Sequence, residues 1–201
     1  PFPEEMNSRL ITQIADLHFA ATGSNATNLR REGVTENDII ITGNTVVDTL
    51  LTMIERAKPS PGLKAVLDRH QGKKVIVLTT HRRENFGEIM YGHLRALRDF
   101  VESHGDAALV LPVHPNPAVR KVVDEVFAAA DRVSCIDPLE YQDFLSLLSA
   151  SWVVVSDSGG VQEEAPSFGK PLFVLRATTE RPEVIECGVG KLVGHDPARL
   201  R

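Results

Sequence analysis

From Ile39 onward, short apolar runs rich in β-branched residues alternate with longer amphipathic stretches, and this alternation limits the fold more than any other feature of the chain. The runs at Ile39–Thr42, Val75–Thr79, Ala107–Pro112, Val133–Ile136, Trp152–Ser156 and Pro171–Leu175 predict strands. Most are apolar at successive positions, as strands buried on both faces of a parallel sheet must be. Between them, Thr45–Ala57, Leu63–His70, Gly87–His104, Asn116–Ala129, Glu140–Ala150 and Gly159–Phe168 carry helical patterns. In the fourth of these, Val119, Val122, Val123, Val126 and Phe127 recur on one face. Strands alternating with helices imply right-handed βαβ crossovers, hence an α/β fold with a doubly wound parallel sheet.

The first forty or so residues are patterned differently. Met6–Ala15 and Ser24–Glu32 read as helices flanking the apolar Leu17–Ala21, with Gly33 as a helix stop. One strand with two helices cannot close a core, so this piece is expected to pack on something else. The domain reading is therefore residues 1–42 as the tail of one domain with its linker, and 43–201 as a second domain. The opening Pro1-Phe2-Pro3-Glu4-Glu5 runs straight into patterned sequence, which reads as a fragment.

Composition excludes some functions. The 201 residues are 42% apolar and 24% charged with a net charge of −5, ordinary for a soluble globular protein. Lys and Arg are not clustered into a face, which argues against nucleic acid as a partner. No apolar run approaches membrane-spanning length, and the N-terminus lacks the layout of a signal peptide. Cys135 and Cys187 have neither metal-ligand nor disulfide-framework spacing, and read as free thiols in a reducing cytoplasm. No two histidines stand at metal-ligand spacing, and neither GxGxxG nor a Walker loop is present, so no metal, nicotinamide or ATP site is expected.

In open α/β sheets ligands bind beyond the carboxyl ends of the strands, and four polar clusters fall there. The sharpest is Ser156 through Glu164. Ser158 can cap a helix whose Gly159-Gly160 start leaves backbone N–H groups open at the positive end, an anion site suited to a diphosphate. The plainer reading is a well-capped helix. Glu164 favours the functional one: about a turn further in, its carboxylate suits a ribose diol, and phosphate donors followed by a diol acceptor fit a nucleoside diphosphate. The second cluster, His81-Arg82-Arg83-Glu84-Asn85, puts His81 at a strand tip beside an Arg pair able to hold phosphate or carboxylates. In Thr178 through Glu183, Arg181 can neutralise a diphosphate, or else form a surface pair with a Glu; Pro182 opens the next helix. In Val113-His114-Pro115-Asn116-Pro117 the prolines make a rigid turn, and His114 braces the loop or reaches a ligand.

Taken together, these segments resemble the non-hydrolysing UDP-N-acetylglucosamine 2-epimerase family. The likeness also covers Asp16-Leu17-His18-Phe19 and Thr42 through Val46, in register along essentially the whole chain. It implies a Rossmann-like domain, the C-terminal half of a glycosyltransferase-B-like two-domain architecture. It further implies that Ser158, Gly159 and Gly160 bind the diphosphate, Glu164 the ribose and Arg181 the phosphate region. Phe144 would line the uracil pocket, with main-chain contact near Leu139. Catalytic positions would be Glu4 and His81, the latter facing the pyrophosphate and the reacting sugar; Arg82, Arg83 and His114 are candidates for a second ligand site. The family reaction inverts C2 of the sugar, giving UDP-N-acetylmannosamine by elimination and re-addition of UDP, with no cofactor. Two further family carboxylates would lie upstream of Pro1, so the chain alone is expected to be inactive, its parent a cytoplasmic homodimer. A glycosyltransferase of the same architecture, a hydrolysing epimerase and a non-catalytic nucleotide-sugar-binding module are the rival readings.

Overall fold

The computed structural model describes residues 3–54 and 58–200, in two compact units, Pro1–Thr49 and Leu50–Arg201. In the first, helix α1 (Glu4–Ile14) precedes strand β1 (His18–Ala20), helix α2 (Gly23–Arg31) and strand β2 (Ile39–Ile41). The strands pair in parallel, Phe19 opposite Ile40, with α2 as the crossover. Thr22 caps α2 by accepting from the Asn25 N–H, and Gly33 ends it at φ 91°. Ile11, Ile14, Phe19 and Ile41 remain exposed, as expected of a piece too small to close a core.

The second unit is built on a six-stranded, wholly parallel sheet. Its strands are β3 (Lys74–Thr79), β4 (Ala107–Pro112), β5 (Val133–Ile136), β6 (Val153–Ser156), β7 (Leu172–Val174) and β8 (Gly190–Leu192), in the spatial order β5-β4-β3-β6-β7-β8. Helix α3 (Thr45–Ile54) runs across the boundary of the two units; Glu55–Ala57, the end of the helix predicted there, lie outside the described residues. The remaining helices are α4 (Pro61–Arg69), α5 (Glu88–Ser103), α6 (Pro117–Phe127), α7 (Tyr141–Ala150), α8 (Gly159–Ser167) and α9 (Pro182–Glu186).

The strands are apolar at consecutive positions because each face of the sheet has its own core. Side chains alternate across a strand: Ile76 and Leu78 pack with Leu94 and Leu97 of α5 and Val119 and Val123 of α6. Val75 and Val77 face the other way, onto Leu63 of α4, Leu147 and Leu148 of α7, and Val161 of α8. Burial on both sides secures the register, since a one-residue slip would exchange the two faces of every strand.

Three details differ from the sequence reading. Asn116 caps α6 from outside the helix, accepting from the Ala118 N–H at 2.9 Å, with Pro117 in the first turn. Trp152 precedes β6 and is exposed, with the Lys74 ammonium 5.3 Å from its ring centre. Strand β8 was not predicted: Gly190-Lys191-Leu192 is three residues long with a polar centre at the sheet's edge, too short for an alternation to register.

The strand order reverses direction between β3 and β6, which pair directly through Thr79 opposite Ser156. Loops leaving the two strand ends diverge there, opening a crevice at the switch point. The His81–Asn85 segment follows β3 and the N-terminus of α8 follows β6, so the fold brings the two sharpest polar clusters together.

Candidate functional site

Asp157, immediately after β6, organises the crevice. It is fully buried (0% exposed), which penalises a charged carboxylate by several kcal/mol unless donors surround it. They do: Thr80 Oγ1 donates to Oδ2 at 2.9 Å, the Arg82 N–H at 3.0 Å and Asn85 Nδ2 at 3.1 Å, while the His81 N–H approaches both oxygens at 3.1–3.2 Å. The His81 Nδ1 stands 3.1 Å from Oδ1. Burial pushes the Asp157 carboxyl upward, but the hydrogen bonds from His81, the Arg82 N–H and Thr80 prevail and hold it below the usual carboxylate range. The loop after β3 is thus wrapped round a carboxylate from β6. Arg82 adds its own bond, Nε to the Asp157 carbonyl at 3.0 Å, and Arg83 is exposed in a short 3-10 turn.

His81 is half-exposed at the strand tip, and its imidazole is held above the ordinary histidine value, first by the hydrogen bond to Asp157. It stacks on His114, ring centres 5.8 Å apart and planes 21° off parallel. His114 accepts from the Asn116 N–H at 3.2 Å, so it braces its loop while also lining the crevice. His81, His114, Pro112, Pro138, Leu139 and Phe144 surround a recess of about 200 Å³. A wider hollow of about 500 Å³ shares Pro138 and Leu139 but includes none of His81, Ser158 or Arg181.

The start of α8 differs from the sequence reading in one respect. Ser158 occupies the N-cap position, but its side chain makes no capping hydrogen bond. Its own N–H is taken by Ser156 Oγ at 2.9 Å, and Ser156 in turn bonds Thr79 across the strands at 2.7 Å. The first-turn N–H groups of a helix have no intrahelical acceptors; here no side-chain cap consumes them, which suits an external anion better than a capped end would.

Arg181 lies over this helix end. A Cβ at Gly159 would stand 3.0 Å from its Nη1 and 3.3 Å from its Cζ, so the guanidinium occupies the space a glycine leaves. Nε donates to Glu163 at 2.6 Å, and Nη1 lies 3.5 Å from Glu180. Of the two sequence alternatives for Arg181, the ion pair with a Glu is formed, and the guanidinium stands at the start of α8 beside Gly159. The loop carrying Arg181 is fixed by residues the sequence reading passed over. Buried Gln162 donates to the Ser158 carbonyl at 3.1 Å and accepts from Thr179 Oγ1 at 2.5 Å, and Thr179 accepts from the Arg181 N–H at 3.0 Å. Buried Arg176 grips Glu180 with two hydrogen bonds and lies 3.5 Å from Glu84, holding the Glu180 carboxyl at about 2. The available signal was the spacing: Gln162 stands one turn after Ser158, and Arg176 four residues before Glu180.

Glu164, one turn further along α8, is buried (7% exposed) and accepts from the Tyr141 hydroxyl of α7 at 3.0 Å. Burial raises its carboxyl above the usual range and pushes the Tyr141 phenol to about 12. Its partner thus comes from the neighbouring helix that also carries Phe144. Glu4 begins α1 in the other unit and is exposed.

Among the described residues no helix is long and apolar enough to cross a membrane. The family model for UDP-N-acetylglucosamine 2-epimerase matches residues 1–201. A UDP-N-acetylglucosamine 2-epimerase of Bacillus subtilis (strain 168) is 48% identical over 100% of this chain and 52% of its own length. One of Escherichia coli (strain K12) is 43% identical over 100% and 54%. Among solved structures, the S. aureus MnaA-UDP co-structure superposes with TM-score 0.93 at 41% identity, covering 100% of this chain and 54% of that one. The Neisseria meningitidis UDP-GlcNAc 2-epimerase bound to UDP-GlcNAc gives 0.88 at 40%, covering 100% and 55%. The chain spans about half the length of the curated relatives it matches. On a family-model match over residues 1–201 and these identities, the chain belongs to the UDP-N-acetylglucosamine 2-epimerase family.

Proposed function

We propose that this chain is the UDP-holding half of an enzyme that interconverts UDP-N-acetylglucosamine and UDP-N-acetylmannosamine by elimination and re-addition of UDP. The observation that carries the reading is the stack at the start of α8, where an uncapped helix end lies under the Arg181 guanidinium with the Glu164 carboxylate one turn further in. In this reading the Gly159 and Gly160 N–H groups and the Ser158 hydroxyl take the pyrophosphate, helped by Arg181, and Glu164 takes the ribose diol. Phe144 and Leu139 take the uracil in the recess beside His81. The names of solved relatives support the ligand, since one is a UDP co-structure and another is bound to UDP-GlcNAc.

The chemistry needs two things that such a half divides. The hydrogen at sugar C2 is weakly acidic and requires a base; the departing diphosphate requires stabilisation of negative charge. The second falls to α8, Arg181 and His81. Carboxylates such as Glu4, in a first domain ending near residue 42, supply the first, and Arg82, Arg83 and His114 serve a neighbouring anionic ligand. The working protein is a cytoplasmic homodimer, and the 201-residue chain by itself holds UDP without turning the sugar over.

Calorimetric titration tests the reading. UDP is expected to bind saturably at one site, and ADP far more weakly because main-chain contact near Leu139 would match the uracil edge, whose donor and acceptor pattern adenine does not share. Absence of saturable UDP binding, or equal affinity for ADP, would overturn it.

A further inference from the structure

We infer that Asp157 is a positioning residue that fixes the His81 imidazole with Nδ1 protonated and Nε2 turned away from the buried carboxylate, so that His81 meets the diphosphate as a hydrogen-bond donor. The part concerning the diphosphate rests on the function proposed above; the part concerning the imidazole rests on the chain's own geometry.

The two oxygens of Asp157 are not equivalent. Oδ2 receives Thr80 Oγ1, the Arg82 N–H and Asn85 Nδ2, together with the His81 N–H. Oδ1 receives only the His81 N–H and faces the His81 ring at Nδ1. An ionised carboxylate is acceptor-only, so the ring nitrogen opposite it carries the hydrogen in both protonation states. That leaves Nε2 as the atom that gains or loses the second proton. Among the described residues no hydrogen bond to His81 Nε2 is found, while the ring itself lines the recess.

The charged groups around the ring are few. Asp157 from the end of β6 favours the imidazolium, and Arg82, next along the loop, opposes it. His114, after β4, stacks at 5.8 Å. With the carboxylate in contact and the guanidinium committed to the Asp157 carbonyl, the favourable partner prevails, and the imidazolium persists to higher pH than that of an ordinary histidine. A cation presenting Nε2–H is what a diphosphate accepts from most readily.

Asp157→Asn separates this role from mere loop-holding. Since Oδ2 serves more donors, the amide oxygen takes its place and the NH2 group falls opposite His81 Nδ1. An NH2 group is a donor, so the ring must accept there, and the neutral imidazole switches to the Nε2–H form. Ring-nitrogen NMR on the full chain, with His81→Gln to assign the signal, is expected to show the Nδ1–H form in the parent at high pH and a titration midpoint above the ordinary histidine value of about 6.5. Asp157→Asn is expected to show the Nε2–H form and a lower midpoint. UDP association is expected to fall about tenfold as pH rises through the parent's midpoint, the fall starting at lower pH in the variant. An Nε2–H parent, or a variant with tautomer and midpoint unchanged, overturns the inference. If Asp157→Asn does not fold, the parent's tautomer decides alone. If UDP fails to bind at any pH, the proposed function fails while the tautomer result still judges the imidazole.

Discussion

Replacing Gly159 by alanine should separate folding from ligand binding. Gly159 is the first residue of α8 with an ordinary helical backbone, and it is not among the glycines with positive φ. The chain therefore accepts alanine there without strain, and the reduced freedom of the unfolded state favours folding by about 0.4–1 kcal/mol. The new methyl would lie 3.0 Å from Arg181 Nη1, tighter than ordinary van der Waals contact, so the guanidinium must give by a few tenths of an ångström. Its far end is flexible, and the shift costs little in stability. The same methyl stands over the helix end that a pyrophosphate would approach. Losing one charge-assisted hydrogen bond of about 1.5–3 kcal/mol weakens binding roughly 10- to 100-fold. Thermal melting and UDP titration read the two effects separately. The melting temperature should hold or rise by about 1–4 °C, UDP affinity should drop, and uridine, which lacks the diphosphate, should bind as before. A variant binding UDP within about twofold of the parent would refute the reasoning.

Glu164→Gln should weaken both UDP and uridine by about tenfold, because a ribose diol loses its ionised acceptor; equal loss for a ribose-free uracil derivative would contradict that role. The variant should melt no lower than the parent, since it removes a buried charge whose carboxyl is already raised by desolvation. Gly190→Ala should destabilise the chain by about 1–3 kcal/mol by overpacking, because its Cβ would stand 2.5 Å from Val184 Cγ1 and 3.2 Å from the Val184 carbonyl oxygen; denaturant unfolding checks it. Asp157 and Glu180 are both depressed in the folded state, so their contributions are present above the ordinary carboxylate range and vanish as pH falls through the folded values. Stability measured by urea should therefore decline from pH 5 towards pH 2, and less steeply in Glu180→Gln. His81 has the opposite sign: its raised value gives stability below the ordinary histidine range that is lost as pH climbs through the folded one.

The sheet was legible because burial on both faces leaves a simple trace. Leu109, Val110 and Leu111 are all fully buried although they alternate between two cores, so the run is apolar throughout. Helix bounds came within a few residues where an end is marked by a cap or breaker, as at Thr22 and Gly33. Strand β8 escaped because three edge residues with a lysine at the centre carry no pattern. At the crevice, the local signals were visible: the Ser-Gly-Gly turn, Glu164 a turn later, and the strand-tip His81. The role of Asp157 was not, because its partners Thr80 to Asn85 stand more than seventy residues upstream and only the pairing of β3 with β6 brings them together. The side-chain cap expected of Ser158 is also absent; its N–H is held instead by Ser156, which Thr79 holds in turn from the neighbouring strand.

The claim on which the functional reading stands is that the N-terminus of α8 receives a pyrophosphate. A crystal structure of this chain with UDP addresses it directly. The account expects phosphate oxygens against the Gly159 and Gly160 amides and the Ser158 hydroxyl, Arg181 turned from Glu163 towards them, and the ribose hydroxyls on Glu164. UDP seated elsewhere, or Glu164 still bonded to Tyr141 with no contact to the ribose, would contradict it.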